Sequence, residues 1–188
     1  MNIILASNSP RRKALMKELN FDFSILKIDV DEEFSPEIPV GEVAEFLAKK
    51  KFDFAVKMID ETQEFVLITA DTVVICEGEI LGKPANLLEG KESLRKLSGK
   101  VHSVITGVCI GNYKKAMCFS EETNVKFKNL NESELEFYIN NYNILDKAGA
   151  YAIKEWIGLI GVEYIEGSYT NVMGLPSEKV FSILKNEF

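Results

Sequence analysis

Two adjacent arginines, Arg11 and Arg12, follow Ser7-Asn8-Ser9-Pro10 in a chain whose net charge is −7. Ser9 is suited to cap a helix, with Pro10 at its first position. Both arginines then fall in the first turn, where the positive end of the helix dipole mildly disfavours cations and favours an anion. A guanidinium grips phosphate with a planar fork of donors. The pattern fits a phosphate clamp and a pair of solvated surface charges equally well. Asp71 directly follows the apolar run Phe65 to Ala70. Ends of central strands are where α/β proteins place ligands. A carboxylate there can hold a divalent metal, accept a proton from water, or simply shape a turn. Thr72 follows and is able to hydrogen-bond a ligand. Asp29, Asp31, Glu32 and Glu33 form an acidic cluster that offers hard oxygen ligands or plain loop charges. Lys51 ends an Ala-Lys-Lys-Lys run and Lys83 lies in Leu-Gly-Lys-Pro; each reads as a surface lysine or a phosphate ligand.

Other chemistries lack their residues. No GxxxxGK[ST] or GxGxxG pattern occurs, and no glycine precedes Gly41, which argues against a P-loop enzyme. His102 is the sole histidine and lies in a strand pattern with apolar neighbours, which reads as a hydrogen-bonded strand histidine. One histidine and three isolated cysteines make a poor zinc site. Cys76, Cys109 and Cys118 are expected as small buried side chains in a reducing compartment.

The elements that must position these residues alternate in type. Strands are expected at Ile3 to Ala6, Ile25 to Val30, Phe65 to Ala70 and Val73 to Cys76, the last turning at Glu77-Gly78 into Ile80-Leu81. Two long strands, Val101 to Ile110 and Lys115 to Lys128, meet at Gly-Asn-Tyr-Lys. Two late strands are expected at Ala150 to Ile153 and Ile157 to Ile165. Helices are expected from Pro10, over Gly41 to Met58 with Val43, Leu47, Phe54 and Met58 near one face, from Asn86 to before Gly99, from Asn131 to about Tyr142, and from Pro176 to the end. Asn86 with Glu89 and Asn131 with Glu134 have capping-box spacing. The interleaving predicts an α/β fold with a mixed sheet, as a single domain over residues 1–188 with two lobes.

The composition, 46% hydrophobic and 27% charged, is that of a globular protein. The acidic balance argues against a nucleic-acid partner but leaves room for an anionic small molecule in a local positive pocket. No run approaches the length of a membrane span and the N-terminus lacks signal-peptide character, so no membrane partner and a cytoplasmic location are expected.

In order along the chain, "LASNSPRR", "DVDE", "ADTVV", "GKP", "LSGKVHSVITGV", "DKAGAY" and "GSYTNVMGLP" resemble the Maf nucleotide pyrophosphatases, the septum-formation-inhibitor family. The resemblance runs nearly end to end. It implies an elongated mixed sheet with flanking helices, two lobes around a cleft, and kinship with the inosine triphosphate pyrophosphatase fold. It also implies metal-dependent hydrolysis of a nucleoside triphosphate to the monophosphate and pyrophosphate, with Mg²⁺ or Mn²⁺ as cofactor. By that resemblance Asp71 is the proton acceptor and joins Glu32 at the metal, while Arg11, Arg12, Lys51 and Lys83 bind phosphates. Arg11 and Thr72 match the branch acting on dTTP and UTP, and modified pyrimidine nucleotides are further candidate substrates. Lys154 is a departure: the branch usually reads "GAYGIQG", and this chain reads "GAYAIKE". A glutamine amide both donates and accepts, whereas a lysine only donates. A non-catalytic nucleotide-binding regulator of cell division is the competing reading, and a homodimer is left open.

Overall fold

A computed structural model describes residues 2–188. Seven strands form one sheet in the order β2-β1-β3-β5-β6-β7, with β4 paired to β3. The elements are β1 (Ile3–Ala6), α1 (Pro10–Glu18), β2 (Phe23–Leu26), α2 (Val43–Ala55), β3 (Val66–Cys76), β4 (Glu79–Leu81), α3 (Leu87–Leu97), β5 (Val101–Gly111), β6 (Ala116–Phe127), α4 (Glu132–Asn141), α5 (Trp156–Gly161), β7 (Val162–Glu166), α6 (Tyr169–Val172) and α7 (Ser177–Asn186). β1 is parallel to both β2 and β3, while β4 and β7 join antiparallel, so the sheet is mixed as expected.

The chain forms two compact units. The first comprises residues up to Asp71, Thr106–Glu121 and Gly174–Phe188; the second comprises Thr72–Ile105 and Glu122–Met173. β3, β5 and β6 each run from one unit into the other. In the first unit Ile4, Ala6, Phe52, Phe65 and Leu67 are among the buried residues of one core cluster. In the second, Leu94, Leu97, Phe127, Leu135, Tyr138 and Ile157 pack with the buried Ala150-Tyr151 stretch.

Local signals held best at helix starts. Ser9 caps α1 with Pro10 at the first position, and Asn131 with Glu134 forms a complete capping box on α4. Asn86 caps α3, but the Glu89 carboxylate accepts from the Ala85 N–H instead of the cap residue's own.

Several expected elements differ. β2 covers Phe23–Leu26 rather than Ile25 to Val30. Phe65 to Ala70 and Val73 to Cys76 are not separate strands: β3 continues through Asp71 and Thr72 for eleven residues. It is β1 that stops, pairing with β3 only as far as Leu5 opposite Ile68, after which β3 exchanges partners and meets β4 from Val74. α2 ends at Ala55 and is followed by one 3₁₀ turn, Val56–Met58. Phe54 and Met58 are exposed, and the buried face instead continues through Ala44, Ala48, Phe52 and Ala55. Small residues lead that face because the helix lies very close to Gly107 of β5, where a Cβ would come within 2.2 Å of the Ala44 carbonyl oxygen. Ala150 to Ile153 is a buried stretch that begins in the last residue of a 3₁₀ turn and continues irregularly, and the first half of the expected strand Ile157 to Ile165 is α5.

The hairpin turn falls at 112–115, where the Asn112 side chain accepts from the N–H groups of Lys114 and Lys115. That turn sets Cys109 of β5 against Cys118 of β6, and the two form a disulfide. This corrects the expectation of three unpaired cysteines: the hairpin register, invisible in the spacing alone, makes the pair. Cys76 is buried and free. Among the described residues no helix is long and apolar enough to cross a membrane.

Candidate active site

The first-unit site begins where β1 gives way to α1. Asn8 donates to the Ile28 carbonyl (2.9 Å) and the Ser9 N–H to Ser7 Oγ (3.2 Å), which fixes the turn. Ser9 Oγ then accepts from the Arg12 N–H (3.4 Å), so one of the first-turn donors expected to face an anion is used by the cap. The Arg12 side chain is half-buried, and its Nε donates to the Gly174 carbonyl at 2.7 Å. Burial pulls the Arg12 guanidinium below its ordinary value and neighbouring Arg11 adds to this, while the Asp71 and Glu32 carboxylates work in the opposite direction. The guanidinium and the two carboxylates therefore share one electrostatic neighbourhood.

Lys51 connects that neighbourhood. Its ammonium, on the last turns of α2, lies 2.9 Å from Glu32 Oε1 and 2.9 Å from Asp71 Oδ1. The Lys51 and Asp71 side chains are only 12% and 10% exposed, against 41% for Glu32. α2 is held to the sheet here by the Thr69 hydroxyl, which donates to the Ala48 carbonyl at 2.7 Å. One turn face of α2 thus presents Lys51 to the strand that carries Asp71, and neighbouring Lys50 pairs with Asp31. Glu32 is brought in by the loop after β2, which the two lysines tether at successive positions.

Asp71 occupies the middle of β3 rather than its end. Beyond the last paired residues of β1, however, its strand has lost that neighbour, and the β1–α1 turn opens beside it. The strand end expected at Asp71 is therefore absent from β3, and the strand that ends here is β1. Two carboxylates that both reach one ammonium are close enough to hold a cation in common, and hard oxygen donors suit Mg²⁺ or Mn²⁺. The donor set therefore fits a divalent metal that uses few protein ligands. No cluster of three or more metal-binding side chains is found among the described residues.

Arg11, Arg12, Glu32, Lys51 and Asp71 all belong to the first unit; Thr72, Lys83 and Lys154 belong to the second. Thr72 directly follows Asp71 in β3, Lys83 is exposed just after β4, and Lys154 is exposed in the stretch before α5. His102 is a buried strand histidine whose Nε2 lies 2.8 Å from the Tyr151 hydroxyl. Sequence reasoning missed Gly174, whose carbonyl seats Arg12. The only signal was the Gly-rich "GSYTNVMGLP" stretch, in which Gly174 has φ 105°, a conformation that favours glycine.

A dTTP/UTP pyrophosphatase of Bacteroides fragilis (strain YCH46) is 47% identical over 184 residues, covering 97% of this chain and 94% of that protein. One from Thermosipho africanus (strain TCF52B) is 46% identical over 184 residues, covering 98% and 92%. Among solved structures, the Staphylococcus aureus Ham1 protein superposes with a TM-score of 0.58 at 18% identity, covering all of both chains; this likeness concerns the fold alone. The family model described as Maf-like protein matches residues 2–187. With both the family match and these identities spanning nearly every residue, the chain belongs to the Maf family.

Proposed function

We propose that the protein is a nucleoside triphosphate pyrophosphatase that cleaves dTTP and UTP to the monophosphate and pyrophosphate. The observation that carries this reading is the Lys51 ammonium held jointly by Glu32 and Asp71 beside Arg12. Family membership and relatives named dTTP/UTP pyrophosphatase support the substrate class.

Arg11 and Arg12 at the start of α1, with Lys51 and Lys83, bind the phosphates. Glu32 and Asp71 would hold a divalent cation, which when bound neutralises triphosphate charge and lowers the pKa of water. Asp71 accepts the proton of the water that attacks the α-phosphorus. The new bond joins water oxygen to the α-phosphorus, and the bond from that phosphorus to the bridging oxygen breaks. Negative charge then gathers on pyrophosphate, where the guanidinium and ammonium groups stabilise it. Thr72, Arg11 and Lys154 set the base preference, and Lys154 shifts it toward acceptor-rich base edges.

The test is pyrophosphate release from dTTP, UTP, CTP, a 5-modified uridine triphosphate and 7-methyl-GTP, with Mg²⁺ or Mn²⁺ and with EDTA. Turnover of dTTP and UTP that EDTA abolishes is expected. Asp71→Asn is expected to lower kcat by about 10²–10⁴-fold. Activity confined to 7-methyl-GTP overturns the substrate assignment, and unimpaired turnover by Asp71→Asn overturns the mechanism. Nucleotide binding with no release under any condition favours the regulator reading.

A further inference from the structure

The motif Asp146-Lys147-Ala148-Gly149-Ala150-Tyr151 leads into Lys154 through a stretch that is irregular yet buried: Ala150, Tyr151, Ala152 and Ile153 are all in the core. It contains two consecutive left-handed residues, Gly149 at φ 65° and Ala150 at φ 62°. An L-residue such as Ala150 resists that conformation, and it persists only where the surroundings over-determine it. At Gly149 the backbone lies against Val74, whose side chain a Cβ would approach to 3.0 Å.

The surroundings here are polar and buried. Lys147 is 4% exposed. Its ammonium donates to the Asn143 carbonyl, to Asp146 Oδ1 at 2.8 Å, and faces Glu155 Oε1 at 3.4 Å. Two of its three donors are thereby hydrogen-bonded, and its charge is paired with Glu155. The other Glu155 oxygen accepts from the Tyr138 hydroxyl, which itself accepts from the Ala152 N–H at 3.2 Å. The stretch is thus gripped at both ends, at Lys147 and at Glu155, with Lys154 the residue just inside the second grip. In its middle, the Gly149 N–H donates to the Gly82 carbonyl at 3.2 Å, next to Lys83. Burying the Lys147 charge against partly exposed carboxylates is an expensive way to hold a loop, since apolar packing of similar volume is often as stable. What the pair supplies that apolar packing does not is a defined geometry.

We propose that Lys147 is a positioning residue for nucleotide binding: by clamping Glu155 it sets the place of Lys154 and, through Gly149, of the Gly82-Lys83 turn. The inference rests on the reading of Lys83 and Lys154 as nucleotide contacts given above. Lys147 itself touches no substrate, because its charge is turned inward.

The experiment compares wild type, Lys147→Met, Tyr138→Phe, Lys154→Gln and the Lys147→Met/Lys154→Gln double variant. Each is measured for dTTP turnover with Mg²⁺ and, by calorimetry, for binding of a non-hydrolysable α,β-methylene dTTP, well below its melting temperature. Lys147→Met is expected to raise KM and the analogue's Kd about tenfold with kcat within about threefold. Tyr138→Phe, which removes one hydroxyl and keeps the ring, is expected to change KM in the same direction by about threefold, and keeps the test open if Lys147→Met fails to fold. The change that Lys154→Gln makes in KM and Kd, in either direction, is expected to be smaller in the Lys147→Met background than in wild type. Variants that melt lower but keep wild-type KM and Kd overturn the proposal, as do single effects that simply multiply. Wild type that binds the analogue without turning over dTTP defeats the catalytic reading while the Kd comparison still decides the clamp. Wild type that neither binds nor turns over removes the site and the clamp together.

Discussion

His102 illustrates how a buried histidine of the core leaves an electrostatic signature. Its ring packs edge-on against Phe127 and Tyr151, and Nδ1 has no hydrogen-bond partner among the described residues. Burial holds its pKa down to about 4, against an ordinary value of 6.5. The unfolded chain therefore binds a proton between those values that the folded chain refuses. The stability associated with neutral His102 is complete above pH 6.5 and is lost as pH falls toward 4, by about 3 kcal/mol in all. Urea titrations from pH 7 to 4.5 are expected to show this decline, and His102→Phe is expected to flatten it by close to one proton. At this scale Arg12 and Asp71 stood out by type and position, Glu32 and Lys51 only through the family resemblance, and the structure brings the four together. What sequence could not show was the company they keep. That Lys51 stands between two carboxylates depends on a loop and a helix some twenty positions from each other.

Elements were legible where the signal is local. Caps such as Ser9 and Asn131 involve hydrogen bonds over three residues and stand where they were expected. Misreadings came where a partner decides the outcome. Phe54 and Met58 look like a continuation of the buried Val43 and Leu47 face, yet they are exposed, and Ala44 lies against the sheet because Gly107 lets the helix backbone come close. A polar pair in an apolar run looks like a strand end, yet β3 passes through Asp71 because the change of neighbour happens beside it. Gly107→Ala tests the first of these. The added methyl meets the Ala44–Glu45 backbone at 2.2–2.4 Å, which no side-chain rotation relieves. A loss of about 1–3 kcal/mol in urea unfolding is expected. Turnover measured on the folded fraction is expected to fall as well, since the displaced helix is the one that carries Lys51.

For the whole molecule, the governing fact is that the chain passes from one unit to the other four times. α7 belongs with the N-terminal strand and helix: Phe21 of the early chain packs on Phe181, with ring centroids 5.5 Å apart. Val180 and Leu184 of α7 are fully buried, and burial of each such side chain contributes about 1.5–3 kcal/mol. A chain ended after Met173 is expected to lose its cooperative melting transition by circular dichroism. The same interleaving bears on synthesis. The carbonyl that seats the Arg12 guanidinium is synthesised 162 residues after it. At the usual pace of translation that is a wait of roughly 8–30 s. A nascent chain therefore carries Arg12 without that carbonyl throughout the interval, and the contact is completed only once the Gly174 segment is delivered.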